Sequence, residues 1–255
     1  MPFQEINGVQ LYYEDEGQGP PVLLLHGAFN TARSQFANMI ERLAERGYRV
    51  IAPDFRGYGR SRPPQRDYPP DFYRRDMADI AALLQTLDAP PAHVVGVGDG
   101  GVIALLLASR HPDRARSVIS WAANGDWPAE ERGLYENLLG AAQSPEFVQQ
   151  MRERHGTTQA EAQTMLADYV QASLDLTDDV WDAGLADHWD AIRCPVLVGA
   201  GGRSDFLPLH HARLQALAIP NAELWIEPHV GHYWPMSREG SEVFIGRVLN
   251  WLVQH

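Results

Sequence analysis

Short runs of valine, isoleucine and leucine, separated by stretches of helical period, constrain this chain more than any other feature. A strand buried on both faces has no polar side to alternate with, so it reads as a continuous apolar run. Parallel neighbours of that kind need a crossover between them, usually a helix. The runs at 21–25, 48–52, 93–97, 117–122, 195–199 and 223–227 are predicted strands of this type. Helices are predicted over 34–46, 72–87, 100–110, 209–218 and 240–253. At the start, 3–6 and 9–14 flank Asn7-Gly8, a strong hairpin turn. The fold class is therefore α/β, a mostly parallel central sheet flanked by helices. The chain's 255 residues, 45% of them hydrophobic, suffice for one such domain.

The alternation stops between Trp127 and Ile192. Four helices are predicted there with no strand among them, at about 129–139, 145–155, 159–174 and 178–186. Residues 1–126 and 192–255 are thus expected to form the core, and 127–191 a helical lid over the carboxyl edge of the sheet. Open α/β sheets place their sites at that edge.

Bulk properties remove several function classes. A formal net charge of -12 disfavours nucleic acid and anionic membrane surfaces as partners. All 21 basic residues are arginine, which excludes Schiff-base chemistry and a P-loop lysine. Cys194 is the one cysteine, so no internal disulfide can form. No leader-like segment or membrane-length apolar stretch is read, and a cytoplasmic protein acting on a small molecule is expected. His229 and His232 are three apart, and His210 and His211 are adjacent, without a thiol or carboxylate at ligand spacing. Neither a metal nor another cofactor is expected.

Residues 94–101 read V-V-G-V-G-D-G-G and run from a buried strand into a helix. Gly96, Gly98 and Gly101 match the dinucleotide fingerprint G-x-G-x-x-G. That fingerprint expects an early βαβ unit and an acidic residue ending the next strand, whereas here the unit comes fifth and the strand ends Trp121-Ala122-Ala123-Asn124. Asp99 would also set a carboxylate against a pyrophosphate. The better match is the nucleophile elbow G-x-S-x-G, whose flanking positions are too crowded for side chains. Gly96 and Gly100 supply those clearances, Gly101 lets the helix pack close, and the middle position is Gly98 instead of serine. Glycine there relieves a backbone strain of roughly 1–3 kcal/mol that another residue would carry.

With these motifs the chain resembles the α/β-hydrolase superfamily over its whole length. It is similar to the valacyclovir hydrolase (biphenyl hydrolase-like) branch, whose elbow reads G-W-S-D-G-G and which has a comparable Trp121-Ala122-Ala123-Asn124 segment. The resemblance implies an α/β-hydrolase fold and assigns further positions. His26-Gly27-Ala28-Phe29 matches the oxyanion turn, and residues 54–61, D-F-R-G-Y-G-R-S, match the superfamily's D-x-R-G-x-G-x-S loop. Asp205 falls in the acid loop and His232 where the family keeps its base, in the order elbow, acid, histidine. His232 would move the proton, and Asp205 would fix its tautomer. Asn124 and Asp126 are the substitutes for the acid. Backbone N–H groups of Ala28 and Asp99 would face a developing oxyanion. Phe29 would contact substrate, and the Asp99 carboxylate would bind its α-amino group or else serve only as an acid in a helix's first turn. His26 would hold the turn's structure.

The sequence thus predicts an ester or α-amino ester hydrolase lineage impaired at Gly98. Two other readings stay open, a non-covalent enzyme using His232 as a base and a small-molecule receptor without turnover. Use of Asp99 as a displaced nucleophile ranks below all of these, because the elbow aims the preceding residue at the substrate.

Overall fold

A computed structural model describes residues 3–141, 144–177, 186–204 and 207–255. The chain opens with β1 (Phe3–Ile6) and β2 (Val9–Glu16), paired antiparallel with Ile6 opposite Val9. Asn7 and Gly8 both take positive φ, 46° and 80°, as a two-residue hairpin turn requires. There follow β3 (Pro21–Leu25), α1 (Ala32–Glu45), β4 (Arg49–Pro53), α2 (Phe72–Thr86), β5 (Ala92–Val97), α3 (Asp99–Arg110) and β6 (Ala115–Trp121). After the sheet's sixth strand come α4 (Arg132–Ala141), α5 (Pro145–His155) and α6 (Gln159–Thr177), then β7 (Val196–Gly201), α7 (Leu209–Ala218), β8 (Ala222–Glu227) and α8 (Arg238–Gln254).

The strands form one sheet in the order β1-β2-β4-β3-β5-β6-β7-β8. β2 runs antiparallel to β4, and every pairing from β4 to β8 is parallel. Chain order reverses at β3, which lies between β4 and β5, so the loops leaving β3 and β5 flank a crevice at the carboxyl edge. Register makes this concrete: Leu25 lies opposite Gly96, Val97 opposite Trp121, and Trp121 opposite Gly199.

Both faces of the sheet are covered. β3 and β5 are buried along their whole lengths, as their mostly apolar sequence requires, with His93 of β5 hydrogen-bonded to Ser117 at 2.8 Å. One core contains Leu23, Leu25 and Val94 beneath α2 and α3, and the other contains Val22, Leu24 and Val95 beneath α1 and α8. Local signals set the helix starts. Thr31 and Ser34 form a reciprocal capping box at α1, and Ser144 caps α5 with Pro145 in its first turn. Gly156 ends α5 in the left-handed region. β2 runs two residues beyond the predicted 9–14, because Asp15 and Glu16 pair with Ile51 and Val50 of β4. The fourth helix predicted in the insertion, 178–186, falls almost wholly outside the described residues. Among the described residues no helix is long and apolar enough to cross a membrane.

Backbone packs very closely where α3 starts against the end of β3. A Cβ on Gly100 would strike the Leu25 and His26 carbonyl oxygens, and one on Gly96 would strike Gly100, all inside the 3.0 Å that real Cβ atoms essentially never breach. Backbone cannot yield there as a flexible side chain would. Gly246, within α8, has nothing within 4 Å of its Cβ position. Gly100→Ala should therefore lower unfolding stability by about 2–3 kcal/mol or more, read by urea denaturation. Gly246→Ala should raise it by roughly 0.5–1 kcal/mol by the same measurement.

Candidate active site

The turn between β5 and α3 is held by three backbone hydrogen bonds. Gly98 N–H donates to the Trp121 carbonyl at 2.9 Å, and its own carbonyl accepts from Gly101 at 2.8 Å and Val102 at 3.2 Å. Gly98 sits at φ 58°, ψ -124°, a conformation that disfavours any residue with a Cβ. Space is not the obstacle: a Cβ there would meet only the Gly27 Cα, at 3.7 Å. The two clearances predicted at Gly96 and Gly100 are present, and a Cβ on Gly101 would press on Ala123 and Ser120.

Opposite lies the turn after β3. Phe55 N–H donates to His26 Nε2 at 3.0 Å, so the other ring nitrogen carries the proton and donates to the Gly27 carbonyl at 2.8 Å. Burial pushes His26 down to about 3, so it stays neutral and serves the turn. Gln35 accepts from Gly27 N–H at 2.7 Å. Phe29 takes φ 61°, unusual for an aromatic residue. Its carbonyl accepts from Arg154 Nη1 at 3.0 Å and His155 Nε2 at 3.2 Å, both at the end of α5. His155 Nδ1 in turn accepts from Gly59 N–H at 2.9 Å. Gly59 belongs to the 54–61 loop, where Asp54 accepts from Ala32 and Arg60 N–H at 2.8 and 2.9 Å. The insertion is thus bolted to the turn carrying Ala28 and Phe29.

These two turns enclose a hollow of about 130 Å³. Ala28, Phe29, Gly98, Asp99 and His232 all line it, so five predicted positions converge. Leu138, Phe147, Leu166 and Tyr169 from α4–α6 close one side. Phe29 meets the rings of Phe147 and Tyr169 edge-on at 5.6 and 5.0 Å. His232 lies in the loop after β8, whose backbone accepts a hydrogen bond from the Trp121 indole at 3.4 Å. Burial pushes the imidazole down to about 4, leaving it neutral near pH 7. Asp99 is buried, and one oxygen accepts from the hydroxyls of Tyr73 at 3.0 Å and Tyr169 at 3.2 Å. Burial outweighs these bonds and raises its carboxyl to about 6.

Asp205 lies outside the described residues. The two residues read as substitutes for Asp205 are engaged elsewhere. Asn124 lines the hollow but donates to Tyr135 at 2.6 Å, and Asp126 faces His211 Nδ1 at 3.2 Å. Asp126 and Glu131 also bring carboxylates to His210 and His211, so the ground for excluding a metal there, the lack of nearby carboxylates, does not hold. Residues some eighty positions apart make that cluster, and no local spacing could reveal it. The tyrosines on Asp99 and the clamp by His155 were equally invisible, because each is a tertiary meeting of unremarkable helix positions.

Residues 20–238 match a family model described as the alpha/beta hydrolase fold. The serine hydrolase BPHL of Homo sapiens is 29% identical over 231 residues, covering 89% of this chain and 78% of that protein. A pimeloyl-[acyl-carrier protein] methyl ester esterase of Chromobacterium violaceum is 30% identical over 261 residues, covering 91% and 94%. Among solved structures, an esterase from Exiguobacterium antarcticum superposes with TM-score 0.74 at 24% identity, covering 98% of each chain. The chain belongs to the alpha/beta hydrolase family.

Proposed function

We propose that the hollow is the active site of a carboxylic ester or α-amino ester hydrolase lineage in which Gly98 occupies the nucleophile's place, leaving the chain impaired as a serine hydrolase. One observation carries this reading: Gly98 holds the strained conformation of an elbow apex, yet the space its missing side chain would fill is open. His232 is the base, kept neutral by burial and therefore able to accept a proton. Asp205 is its acid partner, a role supported by the prior engagement of Asn124 and Asp126. Backbone N–H groups of Ala28 and Asp99 are the oxyanion donors, and α4–α6 act as the lid. The name of the methyl ester esterase relative supports the ester class, and that of the serine hydrolase relative supports hydrolysis.

The open space above Gly98 favours one second reading, a water held there and activated by His232. The two readings separate cleanly. If the lineage is impaired, the chain itself has negligible activity on an activated aryl ester. Gly98→Ser should then raise kcat/KM by at least roughly 10³-fold, since loss of a serine nucleophile removes on the order of 10⁶ in rate. A folded Gly98→Ser protein that stays inert sinks the proposal. Brisk hydrolysis by the unmodified chain, lost in His232→Ala, instead establishes water activation.

The Gly98→Ser protein should also show a pH signature. A base acts only when unprotonated, and burial lowers the His232 pKa from the ordinary 6.5 to about 4. Activity should therefore persist below pH 6.5 and fall only as pH drops toward 4, in a kcat/KM profile of the free enzyme. A limb at or above 6.5 would mean that a carboxylate partner such as Asp205 offsets the desolvation of the base.

Asp99 is assigned to the substrate's ammonium group. In the Gly98→Ser background, Asp99→Asn should weaken kcat/KM for amino acid esters by about 10-fold or more, as loss of a desolvated charge pair does. Esters without the amino group should lose far less. Equal loss on both substrates overturns the recognition role.

A further inference from the structure

The loop after β6 and the start of α7 bring together four groups that the reading above does not use. Asp126 and Glu131 come from the segment leading into α4, and His210 and His211 from the first turns of α7. One ligand atom from each of Asp126, His210 and His211 lies within 4.8 Å of the others.

Hydrogen bonding fixes the tautomer of His211. Gly125 N–H donates to its Nδ1 at 3.1 Å, so that nitrogen holds a lone pair. The proton is on Nε2, which donates to Glu131 Oε2 at 2.8 Å. A histidine whose far N–H is held by a carboxylate is the usual arrangement behind a metal-bound imidazole, because it orients the ring and makes it more basic.

The near side of the ring is electrostatically awkward without a cation. Asp126 Oδ1 lies 3.2 Å from the His211 Nδ1 lone pair, with His210 Nε2 3.6 Å from the same oxygen. Glu131 is only 6% exposed, and its Oε1 lies 3.4 Å from His210 Nε2. Asp126 Oδ1 and Glu131 Oε1 are both buried atoms that accept no hydrogen bond among the described residues. Ligands at 2.0–2.2 Å from a tetrahedral ion stand about 3.3–3.6 Å from one another. The separations of 3.2 and 3.6 Å to Asp126 match those edges.

We propose that Asp126, His210 and His211 bind a divalent transition-metal ion of the Zn²⁺ class, with Glu131 orienting His211. Two imidazoles and one carboxylate are a donor set for such an ion and leave a fourth position for water. The half-exposed Asp126 and His210 give it an entry path. An ion on Nδ1 would take the place of the Gly125 N–H hydrogen bond. The site ties the root of the helical insertion to α7, so the ion acts as a staple and takes no part in the chemistry at Gly98.

The test uses the full chain, stripped with a chelator and titrated with ZnCl₂ at pH 7 by calorimetry. One equivalent should bind, and His210→Ala and Asp126→Asn should each weaken binding by about 10-fold or more. Both substitutions are at half-exposed positions, and melting without metal checks that the variants fold. Zn²⁺ should raise the melting temperature of the unmodified chain and raise that of both variants less at the same concentration. Co²⁺ should give the intense visible bands of a tetrahedral site in the unmodified chain alone. No uptake by the unmodified chain, or equal affinity in the folded variants, overturns the proposal. Either result would leave the cluster as a set of polar contacts between α7 and the segment leading into α4.

Discussion

The approach of α3 to the end of β3 governs everything around it. Helix and strand come so close that the Cβ positions of Gly96 and Gly100 are already filled by backbone. That contact draws Gly98 and Asp99 up to Ala28 and Phe29 and gives the hollow its floor. A larger residue at either clearance would separate the two turns and open the site. The geometry of the turn is therefore a packing requirement before it is a catalytic one, and it persists whether or not a hydroxyl stands at its apex.

The opposite turn is stabilised by polar groups that have lost their water. His26 is pinned at both nitrogens, and Phe29 stays in the left-handed region while α5 donates twice to its carbonyl. His155 is the more telling of those donors, because it spans from Phe29 to Gly59 and so joins three separate segments. Below this region, Arg66 and Asp76 form a nearly inaccessible pair at 2.7 Å, with the Arg66 guanidinium over the rings of Tyr58, Tyr68 and Phe72. Breaking such a pair costs about 3–5 kcal/mol, because the remaining charge is left without compensation. A site floored by glycine and walled by aromatic and leucine side chains, with a buried ion pair elsewhere in the fold, resists deformation, which suits either transition-state positioning or tight holding of a ligand.

Much of this was readable in the sequence, and the part that was not has a common cause. Strand runs at 21–25 and 93–97, the Asn7-Gly8 turn and the elbow glycines are local signals, each enforced by the backbone of a few adjacent residues. They led to the sheet and to the turn at 96–101, while the meeting of residues 28 and 232 with that turn was implied by the family resemblance. The end of β2 was missed because Asp15 and Glu16 are poor strand formers that β4 recruits by pairing. Tyr73 and Tyr169 reach Asp99 from α2 and α6, and His155 reaches Phe29 from α5. No pattern within one helix distinguishes such residues from ordinary packing. The grouping of Asp126 and Glu131 with His210 and His211 likewise depends wholly on β6 and β7 lying side by side.

Gly98 illustrates how stability and chemistry separate at one position. A residue with a Cβ at φ 58°, ψ -124° costs roughly 1–3 kcal/mol, a large share of the 5–15 kcal/mol that holds a domain together. An enzyme that needs a nucleophile there must tolerate this strain, and the surrounding contacts must over-determine the turn to keep it. This chain retains the over-determination: Trp121 still fixes the Gly98 N–H, and Gly101 and Val102 still fix its carbonyl. Those bonds fix a geometry that would strain a residue with a Cβ and that glycine adopts freely. The turn is therefore held in a geometry that suits glycine best while the space above Gly98 stays open, and what the site can do depends on whatever fills that space.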